Sequence, residues 1–130
     1  MNDEENRIYP LATTLLGLDR NGIARPLEWN HGPPPSLDGY TIGAPILERE
    51  PPHDGEMHPD GDEILFLISG QVTLILEDQE PASEILLQPG QAIVVPRGVW
   101  HRIRLHEVSQ ILHVTPGPNQ KLAQSIGGNF

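Results

Sequence analysis

Four side chains in two stretches of the sequence have the types and the spacing of a metal site. Glu56, His58 and Glu63 lie in GEMHPDGDEILFLISG, residues 55–70, and His101 ends PGQAIVVPRGVWH, residues 89–101. Imidazole and carboxylate groups are the usual ligands of Mn, Fe, Ni, Co or Zn. Side chains two residues apart on an extended chain point the same way, so Glu56 and His58 can share one ion. The glycine-containing turn before Glu63 can fold this residue back toward them, which predicts a site for one divalent metal ion.

The segment that follows the turn predicts a strand, 63–69, that is apolar on both faces. Alternation places Glu63, Leu65 and Leu67 on one face and Ile64, Phe66 and Ile68 on the other. A strand of this kind must be covered on both sides. The core of the domain covers one side, and either an N-terminal hairpin or a second subunit covers the other. We expect a homodimer in which both contribute.

A second strand, 100–105, presents His101 on the same face as Ile103. This inward face therefore combines a histidine with aliphatic side chains, as the wall of a binding pocket would. His113 lies in the last predicted strand and is either a donor in that pocket or an interior histidine satisfied by other residues. The candidates for the pocket wall are Arg49, Ile103 and His113.

The rest of the chain has the pattern of short segments and turn residues that is typical of an all-β domain. It contains 14 prolines and 13 glycines, which separate short apolar runs. Asn21-Gly22 predicts a hairpin with a two-residue turn between Leu11–Leu18 and Ile23–Leu27. Val72–Glu77 is predicted to pair with the strand before it across a tight turn at Gly70-Gln71. Short strands at near-regular spacing indicate a sandwich or a barrel.

The length of 130 residues fits a single domain. We divide it into an N-terminal arm and hairpin, 1–39, which packs on the barrel or on a partner subunit, a barrel, 40–116, and a C-terminal tail, 117–130. Only residues 119–126 of the tail have a pattern that would allow a short helical turn.

Composition excludes several classes of function. The absence of cysteine excludes disulfides, thiolate metal sites and cysteine nucleophiles. The formal charge of -10 repels phosphate backbones and anionic membrane surfaces, so neither nucleic acid nor a membrane is an expected partner. The first residues, MNDEENRIYP, lack the basic and apolar regions of a signal peptide, and we expect a cytoplasmic protein.

The two stretches that carry the candidate ligands resemble the two motifs of the cupin superfamily. His58, Glu63 and Gly70 match the second His, the Glu and the closing Gly of its first motif, G(x)5HxH(x)3-4E(x)6G. The second motif, PG(x)5PxG(x)2H(x)3N, is matched through its His by Pro89, Gly90, Pro96, Gly98 and His101. Glu56 stands where the family has its first His, and Leu105 where it has Asn. The resemblance implies a double-stranded β-helix, a jelly-roll barrel, with one metal near its centre.

Glu56 has two readings. As a ligand, it completes a set of two carboxylates and two imidazoles, which favours Mn(II) or Fe(II) over copper. Otherwise His58, His101 and Glu63 form the set of two histidines and one carboxylate found in non-haem Fe(II) oxygenases, and Glu56 is free to move protons beside the metal. The candidate catalytic residues are Glu56 and Glu63, and the candidate metals are Mn, Fe, Ni and Zn, with Mn or Fe favoured.

These features together predict a metal-dependent enzyme that acts on a small polar metabolite. The resemblance allows dioxygenase-like oxidation as well as isomerase, lyase or hydrolase chemistry, because one fold and one metal do not select a reaction. The alternative is a cupin that binds or senses a small molecule without converting it.

Overall fold

A computed structural model describes residues 7–28, 35, 37–51 and 54–123. In these ranges the chain forms twelve β-strands and no helix, so none of the described segments is a helix long and apolar enough to cross a membrane. The predicted all-β class is confirmed. The strands are β1 (Leu15–Asp19), β2 (Ala24–Leu27), β3 (Gly39–Gly43), β4 (Ile46–Leu47), β5 (Gly55–Met57), β6 (Glu63–Ser69), β7 (Val72–Leu76), β8 (Ser83–Leu87), β9 (Ala92–Val95), β10 (His101–Leu105), β11 (Ser109–Pro116) and β12 (Lys121–Ala123).

The strands form two antiparallel sheets. The larger sheet has the order β2-β1-β3-β11-β6-β9, with β4 paired to β11, and the smaller sheet has the order β12-β5-β10-β7-β8. Neighbours in each sheet are mostly distant in sequence, as in a jelly roll, where the chain passes repeatedly between two sheets. The predicted jelly-roll barrel is therefore the observed architecture.

Aliphatic side chains from both sheets form the core between them. Leu67 of β6 and Leu74 of β7 are 0% exposed and belong to one cluster with residues of β8, β9 and β11. Burial of this apolar surface supplies the main driving force for holding the sheets together. Because side chains alternate along a strand, the same packing that buries Leu65 and Leu67 also turns Glu63 into the interior.

The turn at Gly70 carries the chain from one sheet to the other. The prediction that the segment after this turn pairs with β6 is wrong, since β6 pairs with β9 and β11, whereas β7 pairs with β8 and β10. Gly70 has φ +91, and a Cβ there would lie 2.1 Å from Ser109 Oγ. That hydroxyl accepts a hydrogen bond from the amide of Gln71 at 3.0 Å. Both edges of β6 are already paired, with β9 and with β11, so no edge remains for β7.

The N-terminal hairpin extends the larger sheet and does not cover β6. Its loop has three residues, 20–22, and not the predicted two, because the amide of Asp19 donates to the carbonyl of Ile23 at 3.0 Å. β1 pairs with β3, and β11 lies between β3 and β6, so neither strand of the hairpin covers the outer face of β6. Ile64 and Ile68 on that face are 43% and 42% exposed. The hairpin therefore lies beside the barrel strands in their own plane.

The described part of the predicted C-terminal tail is a strap with a short strand. β12 pairs with β5 over residues 121–123, where the sequence suggested at most a helical turn. Asp60 anchors the approach to β12 because its carboxylate accepts a hydrogen bond from the amide of Asn119 at 2.6 Å. Pairing to the strand that carries Glu56 brings this segment next to the predicted metal ligands.

Candidate metal centre

The two sheets bring the four predicted ligands together at one end of the barrel interior. Glu56 lies in the middle of β5 and His101 begins β10, and these two residues are direct partners in the antiparallel pair. Directly opposed side chains point to the same face of the sheet. His58 has the same parity as Glu56, and Glu63 begins β6 of the opposite sheet. One ligand atom from each of the four residues lies within 4.8 Å of all the others.

The separations within this cluster are those of ligands on a single ion. The Nε2 atom of His101 lies 2.9 Å from Glu63 Oε1 and 3.5 Å from Glu56 Oε1. The Nε2 atom of His58 lies 3.4 Å from Glu63 Oε2 and 3.6 Å from Glu56 Oε1. Two atoms bound at about 2.1 Å to the same ion are about 3.0 Å apart at a right angle and about 3.4 Å apart at the tetrahedral angle. The donors therefore converge on one point.

His58 provides the clearest indication that an ion belongs here. Its side chain is 2% exposed, and neither ring nitrogen has a hydrogen-bond partner among the described residues. Buried polar atoms in folded proteins almost always have a partner, because losing water without replacement is unfavourable by about 1–3 kcal/mol. A divalent ion at the centre of the cluster would satisfy Nε2, so the donor set and the orphaned nitrogen both fit a metal.

His101 is held in the tautomer that a metal requires. Its Nδ1 lies 3.1 Å from the carbonyl oxygen of Val99, which can only accept, so Nδ1 carries the proton. In the neutral ring, Nε2 then presents its lone pair to the cluster. Metal-binding histidines commonly donate their other N–H to a carbonyl or carboxylate, which orients the ring.

Glu63 is positioned from behind by a hydroxyl and a third histidine. Thr115 Oγ1 donates to Glu63 Oε2 at 2.6 Å, and His113 Nδ1 lies 2.8 Å from the same Thr115 oxygen. Both side chains come from β11, which runs beside β6. Thr115 was not singled out from the sequence, although it shares the inward face of its strand with His113. Its role depends on the strand pairing, which the sequence does not reveal.

Charge couples the four residues strongly. Burial alone would lower the pKa values of His58 and His101, but the carboxylates of Glu56 and Glu63 outweigh it and raise them to about 9 and about 10. Burial also opposes ionisation of both glutamates, yet the two imidazoles lower the pKa of each carboxyl below its usual value. Without metal, two imidazolium groups therefore neutralise two carboxylates, and a divalent ion would replace the two protons.

A cavity of about 230 Å³ opens beside the cluster. Glu56 and Glu63 form its polar end, and its wall is largely aliphatic, with Leu65, Ile103 and Ile111 among the lining residues. Of the residues proposed for the pocket wall, Ile103 and His113 line the cavity. Arg49 is exposed and does not line the cavity, because it lies beyond the end of β4, outside the barrel interior. Pro116 at the end of β11 and residues 117–120 of the strap line the cavity as well.

Acidic residues near the cluster have other roles. Asp62 accepts a hydrogen bond from the amide of Arg97 at 2.8 Å, and Asp60 holds Asn119. These bonds tie the turn before β6 to the loop before β10 and to the strap. Both aspartates therefore support the loops around the cluster, in agreement with the turn-stabilising role expected of such residues.

Comparison with known proteins gives one family and several distant relatives. A family model described as "Cupin domain" matches residues 47–115, a range that contains all four predicted ligands. A protein of Bacillus subtilis (strain 168) called YdbB is 31% identical over 52 residues, which are 40% of this chain and 43% of that protein. The match thus spans less than half the length of that relative.

Two solved structures complete the comparison. A cupin-2 domain containing protein from Shewanella frigidimarina is 25% identical, with a TM-score of 0.52 over 70% of this chain and 85% of that one. A hydroxypropylphosphonic acid epoxidase from S. wedmorenis is 21% identical, with a TM-score of 0.49 over 58% of this chain and 42% of that one. The second likeness is too weak to bear on function, while the first agrees with the fold described above.

Proposed function

This chain belongs to the cupin family, and we propose that it is a metal-dependent enzyme that converts a small metabolite in the cavity beside Glu56 and Glu63. The observation that carries the proposal is the buried His58 ring, which belongs to the four-residue cluster. Neither of its two nitrogens has a hydrogen-bond partner among the described residues. Family membership by itself does not select a function. The proposal therefore depends on the chemistry of these particular side chains.

The ligands would be Glu56, His58, Glu63 and His101. Two carboxylates cancel the charge of a divalent ion, and oxygen donors suit Mn(II) or Fe(II) better than copper. The metal would supply Lewis acidity toward an oxygen of the substrate. Both glutamates line the cavity, but Glu63 is 3% exposed and hydrogen-bonded to Thr115, so it acts in binding and orientation, whereas Glu56 is 26% exposed. In the arrangement where His58, Glu63 and His101 hold the ion without it, Glu56 is the carboxylate placed to take up or release a proton of the substrate.

The first experiment is native mass spectrometry with elemental analysis of protein purified without chelator. We expect one divalent ion per chain, Mn or Fe in preference to Zn or Cu, together with any metabolite that remains bound. An Fe(II)-loaded sample then decides the reaction branch in an oxygen electrode with a panel of small carboxylic acids and diketones. Oxygen consumption favours oxidation, and turnover without it favours isomerase, lyase or hydrolase chemistry. Protein that neither retains nor binds a divalent ion would refute the proposal.

The alternative is a cupin that binds a small molecule without converting it, which the largely aliphatic wall of the cavity also supports. Glu56→Gln, assayed at a metal concentration that keeps the site occupied, separates the two functions because it keeps the size of the side chain but removes its basicity. An enzyme that uses Glu56 loses turnover by about 100-fold or more while still binding ligand. Equal behaviour of the wild type and Glu56→Gln, with bound ligand recovered unchanged from both, favours the binding function.

The predicted homodimer is part of the same proposal. Strand register places Ile42, Val114, Ile64 and Val94 in one row across four neighbouring strands of the larger sheet. Ile64 and Val94 are 43% and 56% exposed, so the row continues as an apolar surface that a second copy could cover. Light scattering should give twice the chain mass for the wild type and a smaller mass for Ile64→Lys. A monomeric wild type would refute the dimer and leave the metal site untouched.

A further inference from the structure

The cavity contains a third histidine that the metal cluster does not use. His113 comes from β11, lines the cavity, and lies over Gly43 so closely that a Cβ there would be 2.9 Å from its Nε2 atom. Its Nδ1 atom is engaged with Thr115 at 2.8 Å. Its Nε2 atom has no hydrogen-bond partner among the described residues. The ring thus has one atom satisfied by the protein and one left for a ligand.

The chain of hydrogen bonds behind the ring determines which nitrogen carries the proton. A carboxylate that binds a metal is ionised and can only accept, so the single hydroxyl proton of Thr115 goes to Glu63 Oε2 at 2.6 Å. The Thr115 oxygen must then accept from His113, which places the proton on Nδ1. Burial also lowers the pKa of His113, which favours the neutral ring. In the neutral ring, Nε2 is an acceptor with no proton to give.

We propose that His113 Nε2 determines substrate specificity by accepting a hydrogen bond from a hydroxyl group of the substrate. The inference rests on the proposed function, since an oxygen of the same substrate would bind at the metal. His113 is connected to Glu63 through the single hydroxyl of Thr115, so the two polar contacts are close together. The remainder of the substrate contacts aliphatic residues such as Leu65 and Ile111. The substrate class is therefore a small molecule with an apolar body, one oxygen for the metal and a hydroxyl group for His113.

The physical reason for specificity is the penalty of an unfilled acceptor. A substrate without the hydroxyl displaces water from Nε2 without replacing its hydrogen bond, so it binds about tenfold or more weakly. Sites built around a hydrogen bond to a hydroxyl reject analogues that lack it far more strongly than apolar pockets reject a change in size. The cavity has a volume of about 230 Å³, which is enough for a small organic molecule.

The test uses calorimetric titration of the Mn(II)-loaded protein with butanoate and with its 2-, 3- and 4-hydroxy derivatives. In the wild type, we expect at least one hydroxy acid to bind about tenfold or more tightly than butanoate. His113→Asn should bring that ratio close to one, since an Asn amide can still donate to Thr115 but does not reach the position of Nε2. Butanoate itself should bind both proteins equally. An advantage that persists in His113→Asn, or that the wild type lacks, would overturn the inference.

A metal titration of the same samples separates this inference from the proposed function. The wild type and His113→Asn should bind Mn(II) alike, because Thr115 and Glu63 remain in place. A wild type that binds no ion overturns both, whereas an ion bound without discrimination between the acids overturns only the role of His113. His113→Phe serves as a second variant if His113→Asn is unstable. It should also remove the preference, because it fills the site of the ring without an acceptor.

Nitrogen NMR of the wild type tests the tautomer directly, without any ligand. In Zn(II)-loaded protein, we expect the His113 ring to be neutral with its proton on Nδ1, and Thr115→Val to loosen this preference. A proton on Nε2 would make His113 a donor and would contradict the proposed recognition of a hydroxyl.

Discussion

Glu63 and Leu67 lie on the same face of the same strand, and both are buried, at 3% and 0% exposed. Leu67 is surrounded by aliphatic side chains of the core, whereas Glu63 contacts His101, Thr115 and the partly orphaned His58. The apolar end of the barrel is stable because every contact is satisfied by packing. At the polar end, the buried His58 ring has no hydrogen-bond partner among the described residues for either of its nitrogens. Stability and the capacity to bind are thus divided along one strand.

The largest expected effect is the loss of core packing in Leu67→Ala. Removing a fully buried side chain should reduce the free energy of unfolding by about 2–5 kcal/mol, because the cavity left behind collapses only partly. Urea denaturation followed by tryptophan fluorescence measures the change. Leu86→Ala is the matched control, since Leu86 is 49% exposed and should change the free energy by at most about 0.5 kcal/mol. Equal effects of the two variants would contradict the described core.

At the polar end, the main expected effect of His58→Ala is on metal binding. Loss of a ligand should weaken Mn(II) or Fe(II) binding by about 100-fold or more, since even residues that only support ligands contribute 10–100-fold. Metal titration with a competing chelator gives the affinity. His106→Ala is the matched control because His106 is exposed and hydrogen-bonds to Thr73, outside the cluster. If the two histidine variants bind metal equally, the four-residue site is wrong.

The charges at the polar end also predict how pH changes the stability of the metal-free protein. The pKa values of His58 and His101 are about 9 and about 10, above the ordinary 6.5. The charged imidazoles therefore stabilise the folded protein fully below pH 6.5, and this stabilisation is lost as pH rises through 9 and 10. The lowered pKa values of Glu56 and Glu63 add stabilisation that is present above pH 4.5 and is lost on acidification.

The free energy of unfolding of chelator-treated protein should therefore fall by about 1–3 kcal/mol between pH 6 and pH 9. Metal-loaded protein should not show this loss, because its imidazoles are already neutral. Urea denaturation at both pH values, with and without Mn(II), measures the difference. A metal-free protein that is equally stable at both would show that the imidazoles are neutral before metal binds.

Thr115→Val is expected to have the smallest effect and to sharpen the comparison most. It keeps the shape of the side chain but removes the hydroxyl that orients Glu63, so metal affinity should fall by about tenfold. Thr41→Val is the control, because Thr41 is the strand partner of Thr115 and also lines the cavity. Weakening of equal size in both variants would mean that cavity polarity, and not the bond to Glu63, governs affinity.

Several features could be predicted from the sequence because they are local. Alternation along 63–69 and 101–105 predicted which side chains face inward, and both segments are strands. The prolines and glycines around His101 identified its loop. The four candidate ligands lie together as their types and spacing suggested. The inferences about strands and loops need only neighbouring residues, whereas the grouping of His101 with the other three ligands was implied by the resemblance to cupins.

Other features depend on contacts between distant segments. The two-residue turn was wrong because the hydrogen bond between Asp19 and Ile23 closes a three-residue loop. The pairing of β7 with β6 was wrong because β9 and β11 take both edges of β6. Arg49 lies outside the cavity since the chain leaves the barrel after β4. Thr115 was missed because its importance comes only from the neighbouring strand.

The sequence by itself determined the donor types, the inward faces of the strands and the all-β class, because side-chain chemistry and alternation are properties of the local chain. Only the tertiary structure decided that β5 and β10 face β6 across the core, that Thr115 joins Glu63 to His113, and that the described residues engage Nδ1 of His113 and not its Nε2. These are pairings between segments far apart in sequence. Their register is set by how the two sheets bury their apolar faces together, which no single segment specifies.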